Sequence, residues 1–163
     1  MISVMFESAT QDWSTPRELF RWLDDCFHFS LDPCASLLGE RLCPKTFTAL
    51  DDGLAQSWAG HRVFVNPPYG RAIKEWVRKA VAESRHDATT VVCLVPARTD
   101  TAWWEECISH ARYVIFLRGR LRFARNGSDR PGTAPFPSAI IVLSQRADVA
   151  IPPNLRTVCC FWR

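Results

Sequence analysis

The sequence predicts an α/β fold built on a doubly wound sheet. Apolar, strand-like runs alternate along the chain with amphipathic, helix-like segments, the pattern of helices packed on both faces of a sheet. With 163 residues, 47% of them hydrophobic, the chain is long enough for one domain with a substantial core. No internal repeat, low-complexity tract or linker divides it. We therefore expect one domain over residues 1–163, with antiparallel strands at the end of the sheet and residues 1–13 as a loosely attached arm.

The composition narrows the classes of function without choosing one. The formal net charge of +3 permits nucleic-acid binding but does not require it. Seven cysteines, an odd number that includes the adjacent pair Cys159-Cys160, fit reduced thiols in a cytoplasm. The four histidines are scattered and no Cys-x-x-Cys pair occurs, so we predict no metal site. The start of the chain lacks signal-peptide features and no apolar run has membrane-spanning length, so we expect a cytoplasmic protein without a membrane partner.

The first well-marked element is an amphipathic helix that begins near Thr15. The run Thr15-Pro16-Arg17-Glu18 has the pattern of a capping box with proline at the first helical position. The apolar residues that follow recur at helical spacing on one face: Leu19, Phe20, Leu23, Cys26 and Phe27. The sequence therefore predicts a helix that packs this face against the sheet.

A short strand that ends in an acid follows the helix. Residues 29–35 alternate and then end in Asp32-Pro33-Cys34-Ala35, which places an acidic side chain at a strand tip. Residues 36–50 are weakly periodic and leave little room for a helix, a strand and another helix before the next strong strand. We therefore expect the fold to be trimmed here, with a minimal strand at 46–50 that runs into the turn-like Asp51-Asp52-Gly53-Leu54.

The most informative stretch is a buried strand that stops in a polar residue and two prolines. Residues 63–65 favour a strand, and Pro67-Pro68 ends it because neither ring supplies an amide hydrogen for a sheet ladder. Asn66 is therefore expected at the carboxyl end of the strand, the edge where open α/β sheets bind ligands. The Asn66 side-chain carbonyl and the Pro67 main-chain carbonyl offer two acceptors beside the flat ring of Tyr69. These groups suit a planar amine, whose nitrogen they would hold close to tetrahedral geometry and direct at an electrophile. The alternative is a strand and turn without chemistry, which would require four specific residue types to coincide by chance.

The segments after this motif predict a crossover helix, a strand and a second helix. Residues 73–81 carry apolar side chains at helical spacing, with cations on the remaining surface that we assign to a solvated face. The most strand-like run, residues 90–95, ends in Pro96 and brings a second strand tip beside the site. Arg98 lies just beyond it and is a candidate to hold a phosphate or reach a base edge, with a salt bridge to a neighbouring acid as the alternative. In the helix that follows, we expect Trp103-Trp104 to lie in the core rather than to stack on bases.

A basic hairpin is predicted after a strand at residues 113–117. Four of the eight residues 118–125 are arginines with apolar residues between them, which suits a ribbon with one basic face that is directed at DNA. An ordinary solvated hairpin is the alternative. We expect Phe123 to be buried, with a role in holding an extruded base as the second possibility. Residues 139–143 and 157–161 supply the closing strands.

The motif Asn66-Pro67-Pro68-Tyr69 resembles the Asp/Asn/Ser-Pro-Pro-Tyr/Phe/Trp signature of the amino-methyltransferases. Over residues 10–145, the chain closely resembles the phage-type DNA adenine-N6 methyltransferases of the Dam family. The elements that carry this wider resemblance by their order are Thr15-Pro16, Asp32-Pro33-Cys34-Ala35, Asp51-Asp52-Gly53-Leu54, the motif itself, the run from Leu94 to Asp100, and Gly119-Arg120-Leu121-Arg122-Phe123. The resemblance implies a compact Rossmann-like class I methyltransferase sheet, trimmed between the first and the catalytic strands.

The resemblance also implies an activity and a set of site residues. The activity is methyl transfer from S-adenosyl-L-methionine to the exocyclic N6 amine of adenine in double-stranded DNA, with the base flipped out. The implied catalytic residues are Asn66, Pro67, Pro68 and Tyr69. The implied cofactor-binding residues are Thr15, Pro16, Asp32, Pro33, Cys34, Ala35 and either Asp51 or Asp52. The implied DNA contacts are Arg98, Arg118, Arg120, Arg122, Phe123 and Arg125.

Other functions stay open at the level of the sequence. Asn-Pro-Pro-Tyr also occurs in enzymes that methylate protein glutamine, and cytosine-N4 is a substrate of the same chemical class. No Gly-x-Gly follows Asp32, which departs from the common cofactor pattern and keeps open a catalytically silent DNA-binding module of the same fold. The structural alternative for Asp32 is a cap on a turn, and for Asp51-Asp52 it is a simple turn. A phage-encoded enzyme would work in the host cytoplasm.

Overall fold

A seven-stranded sheet forms the centre of the protein in the computed structural model, which describes residues 13–37, 39–125, 132–149 and 159–161. Within these ranges the elements follow in the order β1 (Trp13–Ser14), α1 (Arg17–Phe27), β2 (Leu31–Asp32), β3 (Lys45–Thr46), β4 (Arg62–Val65), α2 (Ile73–Glu83), β5 (Thr90–Pro96), α3 (Ala102–Ser109), β6 (Tyr113–Phe116), β7 (Arg122–Arg125), β8 (Gly132–Thr133), β9 (Ser138–Ser144) and β10 (Cys159–Phe161).

The order of strands in the large sheet is β10-β6-β9-β5-β4-β2-β3. Strands β3, β2, β4 and β5 pair in parallel, whereas β9 is antiparallel to both β5 and β6. Strand β6 therefore runs in the same direction as β5, and the carboxyl ends of β2 to β6 lie at one edge of the sheet. With helices flanking this sheet, the predicted Rossmann-like fold is confirmed.

One detail of the predicted sheet is wrong, because the antiparallel strands do not all lie at its end. Strand β10 pairs with β6 at the edge, but β9 is inserted between β5 and β6. All seven residues of β9 are buried. An unbroken apolar run of this kind is typical of a strand covered on both faces, which is what an interior position provides.

The connection between β2 and β4 is trimmed, as predicted. Between Asp32 and Arg62 the described residues form only β3 and turns. The turn at Gly53 packs directly on the tip of β2. The contact is so close that a Cβ atom added at Gly53 would lie 1.9 Å from the Pro33 carbonyl oxygen. Trp58 is fully buried under this turn, and its indole nitrogen donates to the Gly53 carbonyl over 2.9 Å.

Helix α1 begins without the capping box that the sequence predicts. Its N-cap is Pro16, and no side chain makes a capping hydrogen bond there. The Thr15 hydroxyl accepts a hydrogen bond from the Asn66 side chain instead, so a contact distant in sequence replaces the local one. The apolar face is as predicted, since Phe20, Leu23 and Phe27 are buried.

Helices α2 and α3 bury the faces that the sequence predicts. In α2 the buried apolar residues are Ile73, Trp76, Val77, Ala80 and Val81. In α3, Trp104 and Cys107 are buried and Trp103 packs against the core, so neither tryptophan is an exposed platform for bases. No helix among the described residues is long and apolar enough to span a membrane.

A second, three-stranded sheet joins the beginning of the chain to the arginine-rich segment. Strands β7 and β8 are antiparallel, which confirms the predicted hairpin. Strand β1 lies on the other side of β7, with Trp13 opposite Arg125 and Ser14 opposite Ala124. Residue 13, the last of the predicted arm, therefore belongs to a strand, while residues 1–12 lie outside the described residues.

Candidate active site at the carboxyl edge of the sheet

Asn66 follows directly after β4, at the edge where the parallel strands end. Its side-chain nitrogen donates to the Thr15 hydroxyl over 3.0 Å, and its side-chain oxygen accepts from the Tyr69 hydroxyl over 3.0 Å. Pro67, which is buried, and the half-buried Pro68 fix the backbone that follows. The carboxamide is therefore held at both ends before any ligand arrives.

Tyr69 is packed among aromatic rings and is only 8% exposed. The rings of Phe123 and Phe136 meet it edge to face, with centroids 6.2 Å and 5.2 Å away. Burial raises the pKa of the Tyr69 hydroxyl, and the nearby Cys34 raises it further. The hydroxyl therefore stays protonated and remains a donor. Tyr69 is thus a fixed, neutral aromatic side chain beside Asn66.

Cys34 links the tip of β2 to the end of β4. Its backbone nitrogen donates to the Asp32 carboxylate over 3.0 Å, and its thiol donates to the Asn66 main-chain carbonyl over 3.2 Å. Burial, with Asp32 as the second cause, raises the pKa of the Cys34 thiol well above its usual range. The thiol is therefore a hydrogen-bond donor rather than a nucleophile at neutral pH.

Asp32 is a buried carboxylate, 7% exposed, at the carboxyl end of β2. Burial raises its pKa to about 6, although the hydrogen bonds from Cys34 oppose this shift. Among the described residues it forms no ion pair with a lysine, arginine or histidine. A buried carboxylate without a protein cation is a suitable partner for a ligand that carries an ammonium group, as S-adenosylmethionine does.

The other predicted cofactor residues differ in how they meet the site. Pro33 is buried and its carbonyl lies against Gly53, which brings the Asp51-Asp52 turn to the same edge as Asp32. The side chains of Asp51 and Asp52 are both exposed. The Asp51 carboxylate accepts two hydrogen bonds from Thr48, which lower its pKa and make it a turn cap, whereas Asp52 adopts a left-handed backbone with φ of 51°.

The predicted DNA contacts lie in three places along the chain: after β5, in the loop after β6, and in β7. Arg98 is exposed just beyond β5, and no ion pair joins its side chain to a described acid. Arg118 and Arg120 are exposed in the loop after β6, and Arg122 is exposed at the start of β7. Phe123 is fully buried against Tyr69. Arg125 lies in β7, and its side chain is outside the described residues.

Two contacts of the site were missed by reasoning from the sequence. Phe136 lies against Tyr69, although its position in a loop rich in glycine and proline carries no signal for this. The bond between Thr15 and Asn66 joins residues 51 positions apart, and the capping pattern around Thr15 pointed to a local bond instead. Among the described residues, no group of three or more His, Cys, Asp or Glu side chains is placed to hold a metal ion.

The fold and the site together define a Rossmann-like methyltransferase domain. A seven-stranded sheet with one inserted antiparallel strand carries a buried acid at the tip of β2 and Asn-Pro-Pro-Tyr at the tip of β4. A family model described as DNA N-6-adenine-methyltransferase (Dam) matches residues 3–152, nearly the whole chain. The chain belongs to this family.

Two relatives from bacteriophages support this placement. A protein of Escherichia phage T1 named DNA N-6-adenine-methyltransferase is 31% identical over 119 residues, which cover 72% of this chain and 49% of that protein. A protein of Haemophilus phage HP1 (strain HP1c1) with the same name is 29% identical over 118 residues, which cover 70% of this chain and 66% of that protein. The chain thus spans about half the length of the first relative.

Proposed function

We propose that the protein transfers a methyl group from S-adenosylmethionine to the N6 amine of adenine in double-stranded DNA, with the target base flipped out of the duplex. The observation that carries this proposal is the carboxamide of Asn66, fixed at a strand tip between Thr15 and Tyr69. The family and the names of both relatives support adenine as the target.

The chemistry that the site must assist is attack by a weak nucleophile. The lone pair of an exocyclic adenine amine is delocalised into the ring, so the amine attacks only when its nitrogen is drawn toward a tetrahedral geometry. In our proposal the Asn66 side-chain oxygen and the Pro67 carbonyl accept the two N–H bonds. A carboxamide oxygen accepts two hydrogen bonds, so the bond from Tyr69 is compatible with a second one from the amine.

The bound cofactor would supply the methyl carbon as an electrophile on its sulfonium. Asp32 would hold the cofactor's ammonium group, the backbone of Thr15-Pro16 and of Pro33 to Ala35 would line the same end, and Asp51 or Asp52 would accept from its adenine amine. The amine nitrogen would bond to this carbon as the bond from carbon to sulfur breaks, and the nitrogen would then release one proton to water. No strong base is needed, because positioning supplies the catalysis.

Tyr69 would stack on the flipped adenine, and the exposed arginines would hold the DNA. Arg98, Arg118 and Arg120 follow strands that end at the edge where the motif lies, and Arg122 is next to Phe123, which contacts Tyr69. Phosphates bound by these arginines would bring a base toward Asn66. We assign the enzyme to the cytoplasm, and to the host cytoplasm if a phage encodes it, because its substrate DNA is there.

A labelled-transfer experiment tests this proposal. Purified protein is incubated with S-[methyl-³H]adenosylmethionine and, in separate reactions, unmethylated plasmid DNA, RNA or a mixture of proteins. We expect label only in DNA, recovered as N6-methyldeoxyadenosine after digestion. Label in N4-methyldeoxycytidine or in glutamine would contradict the assigned substrate, and an absence of label from every acceptor would contradict the enzymatic activity.

A further inference from the structure

Thr15 makes a contact that its place at the start of a helix does not explain. The residue is buried, 9% exposed, and its side chain does not cap α1. Its hydroxyl instead accepts the hydrogen bond from the Asn66 side-chain nitrogen at 3.0 Å. A threonine oriented for helix capping would direct its oxygen at the helix amides, so this one is oriented for Asn66.

The backbone on both sides holds the Thr15 hydroxyl in place. Strand β1 ends at Ser14, which lies opposite Ala124 of β7 in the small sheet. On the other side the Pro16 carbonyl accepts from the Phe20 amide in the first turn of α1. Thr15 therefore lies at a junction between a paired strand and a helix, two elements that fix its position.

Asn66 needs such a partner because its carboxamide rotates easily. The χ2 torsion of asparagine is broad and roughly two-fold, so packing alone defines it poorly. With the nitrogen end bonded to Thr15 and the oxygen end bonded to Tyr69, rotation breaks two hydrogen bonds instead of one. The direction of the oxygen, which must meet the substrate amine, is then fixed by Thr15 as well as by Tyr69.

We infer that Thr15 is a positioning residue for methyl transfer, which orients the Asn66 carboxamide through its hydroxyl. This inference rests on the proposed function for its catalytic consequence. It differs from the role that the family resemblance implies for Thr15, which is contact with the cofactor. The two roles predict different kinetics, because a cofactor contact affects binding and an orienting contact affects the chemical step.

The test is the Thr15→Val variant, which replaces the hydroxyl by a methyl group of similar size. We expect kcat for methyl transfer to fall about 10- to 100-fold, since the half-buried Asn66 side-chain nitrogen loses the Thr15 hydroxyl as an acceptor. KM for S-adenosylmethionine and for DNA should stay within about twofold. Thr15→Ser keeps the hydroxyl and should recover kcat to within about threefold of the wild type. If the valine variant does not fold, Thr15→Ala takes its place with the same expectation.

The matched control is Thr90→Val. Thr90 is also buried and its hydroxyl also bonds a side chain, that of Ser144 at 3.0 Å, but it lies at the amino end of β5 on the opposite edge of the sheet. This variant should lose stability and keep its kcat. An equal loss of kcat in both valine variants would overturn the inference, because general destabilisation would then explain the effect.

A second readout does not depend on activity. In ¹⁵N spectra of the wild type, the Asn66 side-chain amide, assigned by its loss in Asn66→Asp, should change its proton shifts in Thr15→Val and keep them in Thr15→Ser. An unchanged Asn66 signal overturns the inference, as does a rise in KM for S-adenosylmethionine with unchanged kcat. If the wild type methylates no adenine but the Asn66 signal responds, the proposed function fails while the contact stands.

Discussion

At the residue scale, the site is an arrangement of fixed neutral groups around one buried acid. The Asn66 carboxamide and the Tyr69 phenol are bonded to each other, and Cys34 joins the Asn66 backbone to Asp32. Because these bonds exist without substrate, little reorganisation is required when the reaction begins. This arrangement costs folding free energy at Asp32, because its carboxylate is buried away from water.

Replacement of Asp32 by asparagine should stabilise the protein without cofactor. The folded pKa of about 6 lies above the ordinary 3.8, so protonation favours the folded state below about pH 4 and this contribution is lost as the pH rises through 6. The pKa shift corresponds to a loss of at most about 3 kcal/mol in the free energy of unfolding of the wild type. Because the asparagine amide is also a buried polar group, we expect the variant to be more stable by only about 1–2 kcal/mol at pH 8. Urea unfolding of both proteins from pH 4 to pH 8 measures this difference in stability.

The advantage of Asp32→Asn should grow between about pH 4 and pH 6 and stay constant above. Binding of S-adenosylmethionine, followed by calorimetry, should weaken in the same variant because the ammonium group loses its partner. If Asp32→Asn is less stable than the wild type at pH 8, this expectation is wrong, and interactions in the folded protein offset the cost of burying the Asp32 charge.

Tyr69 contributes a ring and a hydroxyl, and two variants separate them. Tyr69→Phe keeps the ring between Phe123 and Phe136 and removes only the bond to Asn66, so kcat should fall about 3- to 10-fold. Tyr69→Ala removes the stacking surface too and should cost about 100-fold or more. Single-turnover rates on DNA distinguish the two, and equal losses would show that the ring has no separate role.

At the element scale, the hairpin of β7 and β8 connects the exposed arginines to the site. Phe123, fully buried in β7, contacts Tyr69, while its neighbour Arg122 faces solvent. The same strand pairs with β1, which leads into Thr15. The hairpin therefore carries an exposed arginine and a ring contact to Tyr69, and it pairs with the strand that leads into Thr15.

The triple variant with alanine at Arg118, Arg120 and Arg122 should bind DNA more weakly and with less dependence on salt. If each arginine neutralises one phosphate, the slope of log affinity against log salt should become shallower by roughly 2.7, at about 0.9 for each contact. Fluorescence anisotropy with labelled duplexes between about 50 and 200 mM salt measures the slope.

The matched control removes three exposed cations away from that edge: Arg62 at the start of β4, and Arg78 and Arg85 on or beside α2. It changes the net charge equally but leaves the edge that carries the motif intact. We expect a slope within about half a unit of the wild-type value. An equal change in both triple variants would show that overall charge, rather than Arg118, Arg120 and Arg122 themselves, determines DNA binding.

Local patterns predicted the elements better than they predicted the bonds between them. The apolar period gave the buried face of α2 and the strand before Asn66, because periodicity follows directly from burial. The capping pattern at Thr15 failed because its hydroxyl accepts from the Asn66 side-chain nitrogen, 51 positions away, and not from a helix amide. At Asp51-Asp52 the sequence offered two equivalent acids, whereas in the structure Asp51 caps the turn by accepting two hydrogen bonds from Thr48.

At the scale of the whole molecule, the core is the central sheet, with β9 inserted between β5 and β6. The sequence predicted the strands and the trimmed connection, but not this insertion. A continuous apolar run such as β9 is compatible with several positions in a buried sheet. Its residue types therefore do not determine which strands it pairs with, and the connections of the chain do. The inserted strand joins the part of the sheet that holds Asn66 to the part that leads into the hairpin.

Ile141 tests the importance of the inserted strand for stability. It is fully buried, opposite Cys93 of β5 and Val114 of β6. Ile141→Ala should lower the free energy of unfolding by about 2–5 kcal/mol, and Ile141→Val by about 0.5–1.5 kcal/mol. Chemical denaturation gives both values, and kcat should be unchanged at temperatures where the variants are folded. A loss below about 1 kcal/mol for the alanine variant would contradict a well-packed centre.

The central claim is that the fixed Asn66 side chain directs methyl transfer to adenine N6. Its most direct test is a single-turnover reaction of unmethylated plasmid DNA with wild-type protein and with Asn66→Ala, analysed by nucleoside mass spectrometry. We expect N6-methyldeoxyadenosine from the wild type and at least about 100-fold less from the variant, with binding of S-adenosylmethionine and DNA retained in both. Near-normal formation of N6-methyldeoxyadenosine by Asn66→Ala, or a different methylated nucleoside from the wild type, would contradict the claim.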